Sequence, residues 1–141
     1  MAYATEQNLK DRLGSDVIAL LADEDGDGSG DSTILMAVLD DTASRIDAAL
    51  SRRYVIPISP VSDSLARLNV DLAIYLLFLR RRDAISPEHL DSSKRAQEYL
   101  NDIAEGREEL DGVGPKVARF QSDSTTRSDT RRFDREKLDS F

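Results

Sequence analysis

The chain of 141 residues sets 27 Asp and Glu against 19 Lys and Arg, a net charge of −8, with no Cys and 6% aromatic residues. That length buries one core without metal or disulfide support; the lack of Cys excludes thiol catalysis and thiolate metal sites, and the acidic balance disfavours a broad phosphate-contacting face for nucleic acid. No apolar run approaches the roughly 20 residues that cross a bilayer, and residues 1–8 lack the basic start and apolar middle of a secretion signal, so a soluble protein with no membrane partner is expected.

Abundant Leu, Ala, Asp and Arg with few aromatics suit packed helices. The expected fold is all-α: a compact bundle of about five helices with an extended C-terminal arm. Residues 5–13 read as a short helix, capped by Thr5, with Glu6 in its first turn and Gly14 past its end. Residues 15–22 form a second, with Val17, Ile18, Leu20 and Leu21 able to face a core. After an acidic loop, Asp31 or Ser32 caps a long helix to Arg53, in which Leu35, Val38, Leu39, Thr42, Ile46, Ala49 and Leu50 recur at helical spacing. The prolines of "YVIPISP", residues 54–60, break it. Ser62 or Asp63 caps the next helix, 64–82, whose apolar residues cover nearly the whole circumference; such a helix is either central to the core or also packs against another chain. Ser86-Pro87-Glu88 starts a last helix, faced by Ala96, Tyr99, Leu100 and Ile103 and stopped by Gly106.

The character then changes. Residues 121–130 hold no apolar side chain, and from Gly114 onward seven bases (Lys116, Arg119, Arg127, Arg131, Arg132, Arg135, Lys137) meet five acids, +2, which leaves −10 for the first 113 residues. The chain divides into a helical body, 1–106, and an arm, 107–141, expected not to bury itself on its own chain.

The loop "DEDGDGSGD", residues 23–31, places carboxylates with EF-hand spacing: Asp23, Asp25 and Asp27 at positions 1, 3 and 5, Gly28 at 6 and Asp31 at 9. Position 12, normally a bidentate Glu, is Ile34. Two readings stay open: an incomplete Ca²⁺ site on Asp23, Asp25, Asp27 and Asp31, or an acidic turn whose last Asp caps the following helix. The missing Glu favours the turn, and no other cofactor is expected.

Other polar residues read as structural. His89 lacks a second histidine and is expected to be a solvated helix residue; Asp71, inside the most apolar helix, is expected in a salt bridge to Arg67, Arg52 or Arg53. Arg80, Arg81 and Arg82 suit a helix C-terminus. With no phosphate loop, nucleophile elbow or zinc signature, no enzyme is expected. At the end of the arm, Leu138 and Phe141 share a helical face, and Arg131, Arg132 and Arg135 accompany them and Phe133. Apolar anchors with basic neighbours suit an acidic-rimmed groove on a partner.

Several stretches together resemble the head-tail connector (adaptor, or head completion) family of Mu-like tailed bacteriophages. They are "MAYATEQNLKDRLG" with the "DEDGDG" turn, "IDAALSRRYVIPISPV", "LARLNVDLAIYLLFLRRR", and "RRFDREKLDSF", similar to the family's terminal Arg-x-Phe-x-Arg-x-x-Leu-x-x-Phe, with Ser140 where the family has Gly. The resemblance implies a structural virion protein, assembled in the host cytoplasm: a subunit of a ring, twelvefold by analogy, below the portal protein. A tail-side neck or tail terminator protein would lie beyond it, and DNA would pass through its channel without sequence-specific binding. The competing class is a calcium-tuned helical protein-binding module, with residues 23–34 as its sensor.

Overall fold

Thr5 opens the first helix by accepting the Asn8 N–H, while the Asn8 carboxamide oxygen accepts the Thr5 N–H at 2.9 Å. This reciprocal cap satisfies donors that a helix start leaves orphaned. The computed structural model describes residues 2–116. Its elements are α1 (Glu6–Leu13), α2 (Ser15–Ala22), α3 (Ser32–Leu50), α4 (Asp63–Arg81) and α5 (Pro87–Glu105), so the fold is all-α with five helices, and the described residues contain no strand. None of these helices is long and apolar enough to cross a membrane.

The remaining starts and stops follow the sequence closely. Ser62 accepts from the Leu65 N–H at 3.2 Å and Ser86 from the His89 N–H, with Pro87 at the first helical position. Gly106 ends α5 at φ 86, the left-handed conformation that glycine adopts without strain. One end differs: α3 stops at Leu50, short of Arg53, and the chain leaves it through a turn in which the Arg53 N–H reaches the Leu50 carbonyl at 3.0 Å, the i→i−3 spacing of a tightened helix end. Tyr54, at the end of that turn, is completely buried.

The core has two parts. Leu9, Leu13, Ile18, Leu21, Leu35, Leu39, Ile74 and Leu77 join α1, α2, the first half of α3 and the second half of α4. Ile46, Leu50, Tyr54, Ile58, Leu65, Leu68, Leu100 and Ile103 join the other halves of α3 and α4 to α5. Helix α4 serves both clusters, which explains its apolar circumference; even so Leu72, Tyr75 and Leu76 stay half-buried and Leu79 is 54% exposed.

The described residues beyond Gly106 touch the body at a few points. Leu110 is buried, its N–H donates to the Tyr54 hydroxyl at 3.1 Å, and the Lys116 N–H reaches the Arg53 carbonyl at 2.6 Å. Leu110 and Val113 pack against the second core cluster, apolar contacts that the charged residues around them obscure in the sequence, while most of the residues between Gly106 and Lys116 stay exposed. The rest of the arm lies outside the described residues.

Candidate functional site

The acidic loop joins α2 to α3 and is closed by the Asp31 N–H on the Ala22 carbonyl at 2.9 Å. Within it the carboxylates fold inward on backbone donors. Asp23 accepts from Gly26 at 2.8 Å and Gly28 at 2.9 Å, Asp25 from Asp27 at 3.1 Å, and Asp27 from Ser29 at 2.8 Å. One oxygen from each of Asp23, Asp25, Asp27 and Asp31 lies within 4.8 Å of the others.

The local field has physical causes that can be separated. The Gly28 and Gly26 N–H groups hold Asp23 below the usual carboxylate range, and the Ser29 N–H and hydroxyl do the same for Asp27. Asp25 moves up: the Asp27 N–H pulls its carboxyl down, but the Asp23 carboxylate and the charges of Asp27 and Asp31 outweigh that pull. Helix α4 supplies the counter-charge, since Arg80 pairs with Glu24 and Arg81 donates to the Asp23 carbonyl at 3.0 Å. The arginine run thus ties the loop to the body.

Two expectations about this loop need correcting or completing. Asp31 stands at the N-cap of α3 but makes no side-chain cap bond; its carboxylate accepts the Glu24 N–H at 3.2 Å instead. Ile34, at the twelfth position, packs against the first core cluster, so the place of a bidentate Glu is taken by an apolar anchor. The four aspartates could hold a hard cation only with fewer oxygens than an EF-hand offers.

Asp71 pairs with Arg12 of α1, 3.2 Å away, and not directly with Arg67, Arg52 or Arg53 as expected. The misreading has a simple cause: helical spacing identifies neighbours on α4, whereas α1 packs across α4 by tertiary contact. Burial raises the Asp71 pKa, and Arg12, Arg67 and His89 only partly offset it. Because the folded-state value lies above the unfolded one, folding favours the protonated form, and stability drains away as pH rises through that raised value. Asp71→Asn is therefore expected to match the wild type in urea denaturation near pH 3 and to equal or exceed it at pH 7. A loss of more than about 1 kcal/mol at pH 7 would show instead that the ion pair is net stabilising. His89 is half-buried, not fully solvated, with its ring 6.0 Å from that of Phe78.

Sequence reasoning missed the polar residue that organises the body. Asn69 on α4 is fully buried; its oxygen accepts the N–H groups of Tyr3 and Ala4 at 2.9 and 3.0 Å, and its NH₂ donates to the Leu39 carbonyl at 3.2 Å and the Thr42 hydroxyl at 2.6 Å. Every hydrogen-bonding position of the amide is filled. Tyr3 continues the path, donating to Asp47 and accepting the Ile58 N–H at 3.1 Å; burial, aided by Asp47, pushes its phenol up to about 12. The signal that identifies Asn69 is its place on the wheel: it shares a face with Leu65 and Ala73, both buried.

The partner-binding residues expected on the arm, Arg131, Arg132, Phe133, Arg135, Leu138 and Phe141, lie outside the described residues. The body offers a surface feature instead: a groove of about 260 Å³ between α3, α4 and α5, floored by Leu72, Tyr75, Leu76 and Leu90 and flanked by Arg45 and Lys94.

Buried polar groups knit together an all-α body whose central helix leaves Leu79 exposed and Leu72, Tyr75 and Leu76 half-buried. The sequence profile described as Bacteriophage Mu, Gp36 matches residues 3–127, and the chain belongs to that family. It is thus a protein of the Mu-like phage type. No curated protein matches it.

Proposed function

We propose that the chain is a head-tail connector subunit: copies form a ring below the portal, the ring channel carries DNA between head and tail, and the arm joins the ring to portal or to an adjacent copy. Family membership carries the reading as a phage structural or morphogenesis protein. The connector role draws further support from α4, which still shows Leu72, Leu76 and Leu79 to solvent after serving both halves of the core. Light scattering of the purified chain alone and mixed with the portal of the same phage tests it. A ring-sized complex is the expected result, and a chain that stays monomeric beside portal would overturn the reading.

The competing reading, a calcium-tuned binding module, has the convergence of Asp23, Asp25, Asp27 and Asp31 in its favour and Ile34 against it. Ca²⁺ added to about 1 mM is expected to raise Tm by less than about 2 °C, since a millimolar site adds only RT ln 2, about 0.4 kcal/mol, at that concentration. A large, saturating rise at micromolar Ca²⁺ would favour the module.

A further inference from the structure

If the chain forms a ring, one copy must present two different surfaces that fit each other, because a head-to-tail contact is not self-complementary. Two surfaces of the body have this relation. On α2, Leu20 is 64% exposed, and Asp16 stands one turn before it on the same face. The acidic loop follows directly, with Asp23, Glu24, Asp25, Asp27 and Asp31 set against Arg80 and Arg81 of α4, which reach Glu24 and the Asp23 carbonyl; Asp41 belongs to the groove side, where it meets Arg45. Leu20 is thus an apolar knob beside the acidic loop.

The groove between α3, α4 and α5 is its opposite in shape and sign. At about 260 Å³ it falls below the roughly 300–1,000 Å³ typical of small-molecule sites, a size suited to an inserted side chain. Its floor is Leu72, Tyr75, Leu76 and Leu90. Lys94, on its rim, makes no ion pair among the described residues, and Arg45 meets only Asp41, 3.6 Å away with both side chains mostly exposed, a weak pairing that a partner can displace.

The two surfaces lie on different sides of α4. Ile74 and Leu77 of α4 share a cluster with Ile18 and Leu21 of α2, whereas Leu72 and Tyr75 lie across the helix axis from them at roughly 100° per residue, and Leu76 sits between, packed in part against that same cluster. A copy cannot place its own Leu20 in its own groove, so each contact leaves a free knob at one end and a free groove at the other.

We propose that successive copies join by seating Leu20 of one in the α3/α4/α5 groove of the next, with Asp16 and the acidic loop facing Arg45 and Lys94. This interface rests on the ring reading above, and it makes the contact heterologous, closing into a ring when the rotation per copy permits. Its strength falls with salt, as the flanking charges are exposed.

The absence of Cys makes a clean test available. The full chain carrying Leu20→Cys and Tyr75→Cys, mixed with portal and mildly oxidised, is expected to give a ladder of disulfide-linked species above dimer on a denaturing gel. Each single-cysteine variant is expected to stop at dimer. In parallel, Leu20→Asp is expected to weaken self-association about tenfold or more, and Asp16→Lys to weaken it with partial recovery when Lys94→Glu is added. Unchanged helical circular dichroism confirms that these surface variants fold. A double-cysteine chain with no species above dimer, in a preparation whose wild type reaches ring-sized mass, overturns this interface and leaves the ring reading standing. A wild type that never exceeds monomer beside portal removes both.

Discussion

Replacing Asn69 with Leu is expected to cost about 3 to 5 kcal/mol and to lower Tm by roughly 10 °C or more. Leucine keeps the branched outline of Asn, but its methyl groups cannot sit as close to the four partners as the amide does, so lost hydrogen bonds and crowding both contribute. Leucine leaves the Tyr3 and Ala4 N–H groups, both buried, without an acceptor, and it also takes a donor from the Thr42 hydroxyl and the Leu39 carbonyl. Each buried group stranded in this way costs about 1–3 kcal/mol, against a total stability of about 5–15 kcal/mol for a domain of this kind. Thr42→Val should cost less, about 1–2 kcal/mol, because the Thr42 hydroxyl is one partner of four and its own bonds to the Val38 and Leu39 carbonyls duplicate helix contacts. A double-mutant cycle should give a coupling above about 0.5 kcal/mol, as expected for direct partners. Urea denaturation decides the matter: Asn69→Leu within about 1 kcal/mol of wild type would mean that the residues before α1 are not held by this amide.

The helices, their caps and most of the core were legible because each depends on neighbours in sequence. Thr5, Ser62, Ser86 with Pro87, and Gly106 all act within one turn, and the apolar spacing of α3 follows from 3.6 residues per turn alone. What was not legible depends on residues far apart in the chain. Asn69 reaches back 65 and 66 positions to Ala4 and Tyr3. Arg12 displaces Arg67 as the partner of Asp71 because α1 lies across α4, and Leu110 returns to Tyr54, 56 positions away. The acidic loop shows the same limit from the other side. Its spacing located Asp23, Asp25, Asp27 and Asp31, and those four do converge, but the sequence alone could not show their oxygens engaged by Gly26, Gly28 and Ser29 backbone donors, or Arg80 and Arg81 arriving from α4.

Deleting residues 131–141 is expected to leave the body intact while abolishing its joining to portal. Both core clusters and the Asn69 and Tyr54 hydrogen bonds use residues no later than Val113 in the described structure, so helical circular dichroism should be unchanged and the unfolding free energy should move by no more than about 0.5 kcal/mol. Binding should respond differently. Phe133, Leu138 and Phe141 are the anchors that the proposed portal contact would use; truncating a central anchor of an interface costs about 2 kcal/mol or more, a loss of roughly thirtyfold, so removing all three together is expected to take binding below detection at micromolar protein. Arg131, Arg132 and Arg135 should act mainly through the rate of encounter: replacing them with Ala is expected to slow association and flatten its salt dependence, while Phe133→Ala should mainly speed dissociation. Light scattering of the truncated chain with portal reads the first effect, and a ring-sized complex formed as readily as by the wild type would sink it. Because the Leu20 knob and its groove lie wholly within residues 20–97, the same truncation carrying Leu20→Cys and Tyr75→Cys separates the two contacts. If copies still cross-link in concentrated solution while portal no longer binds, ring closure belongs to the body and attachment to the arm.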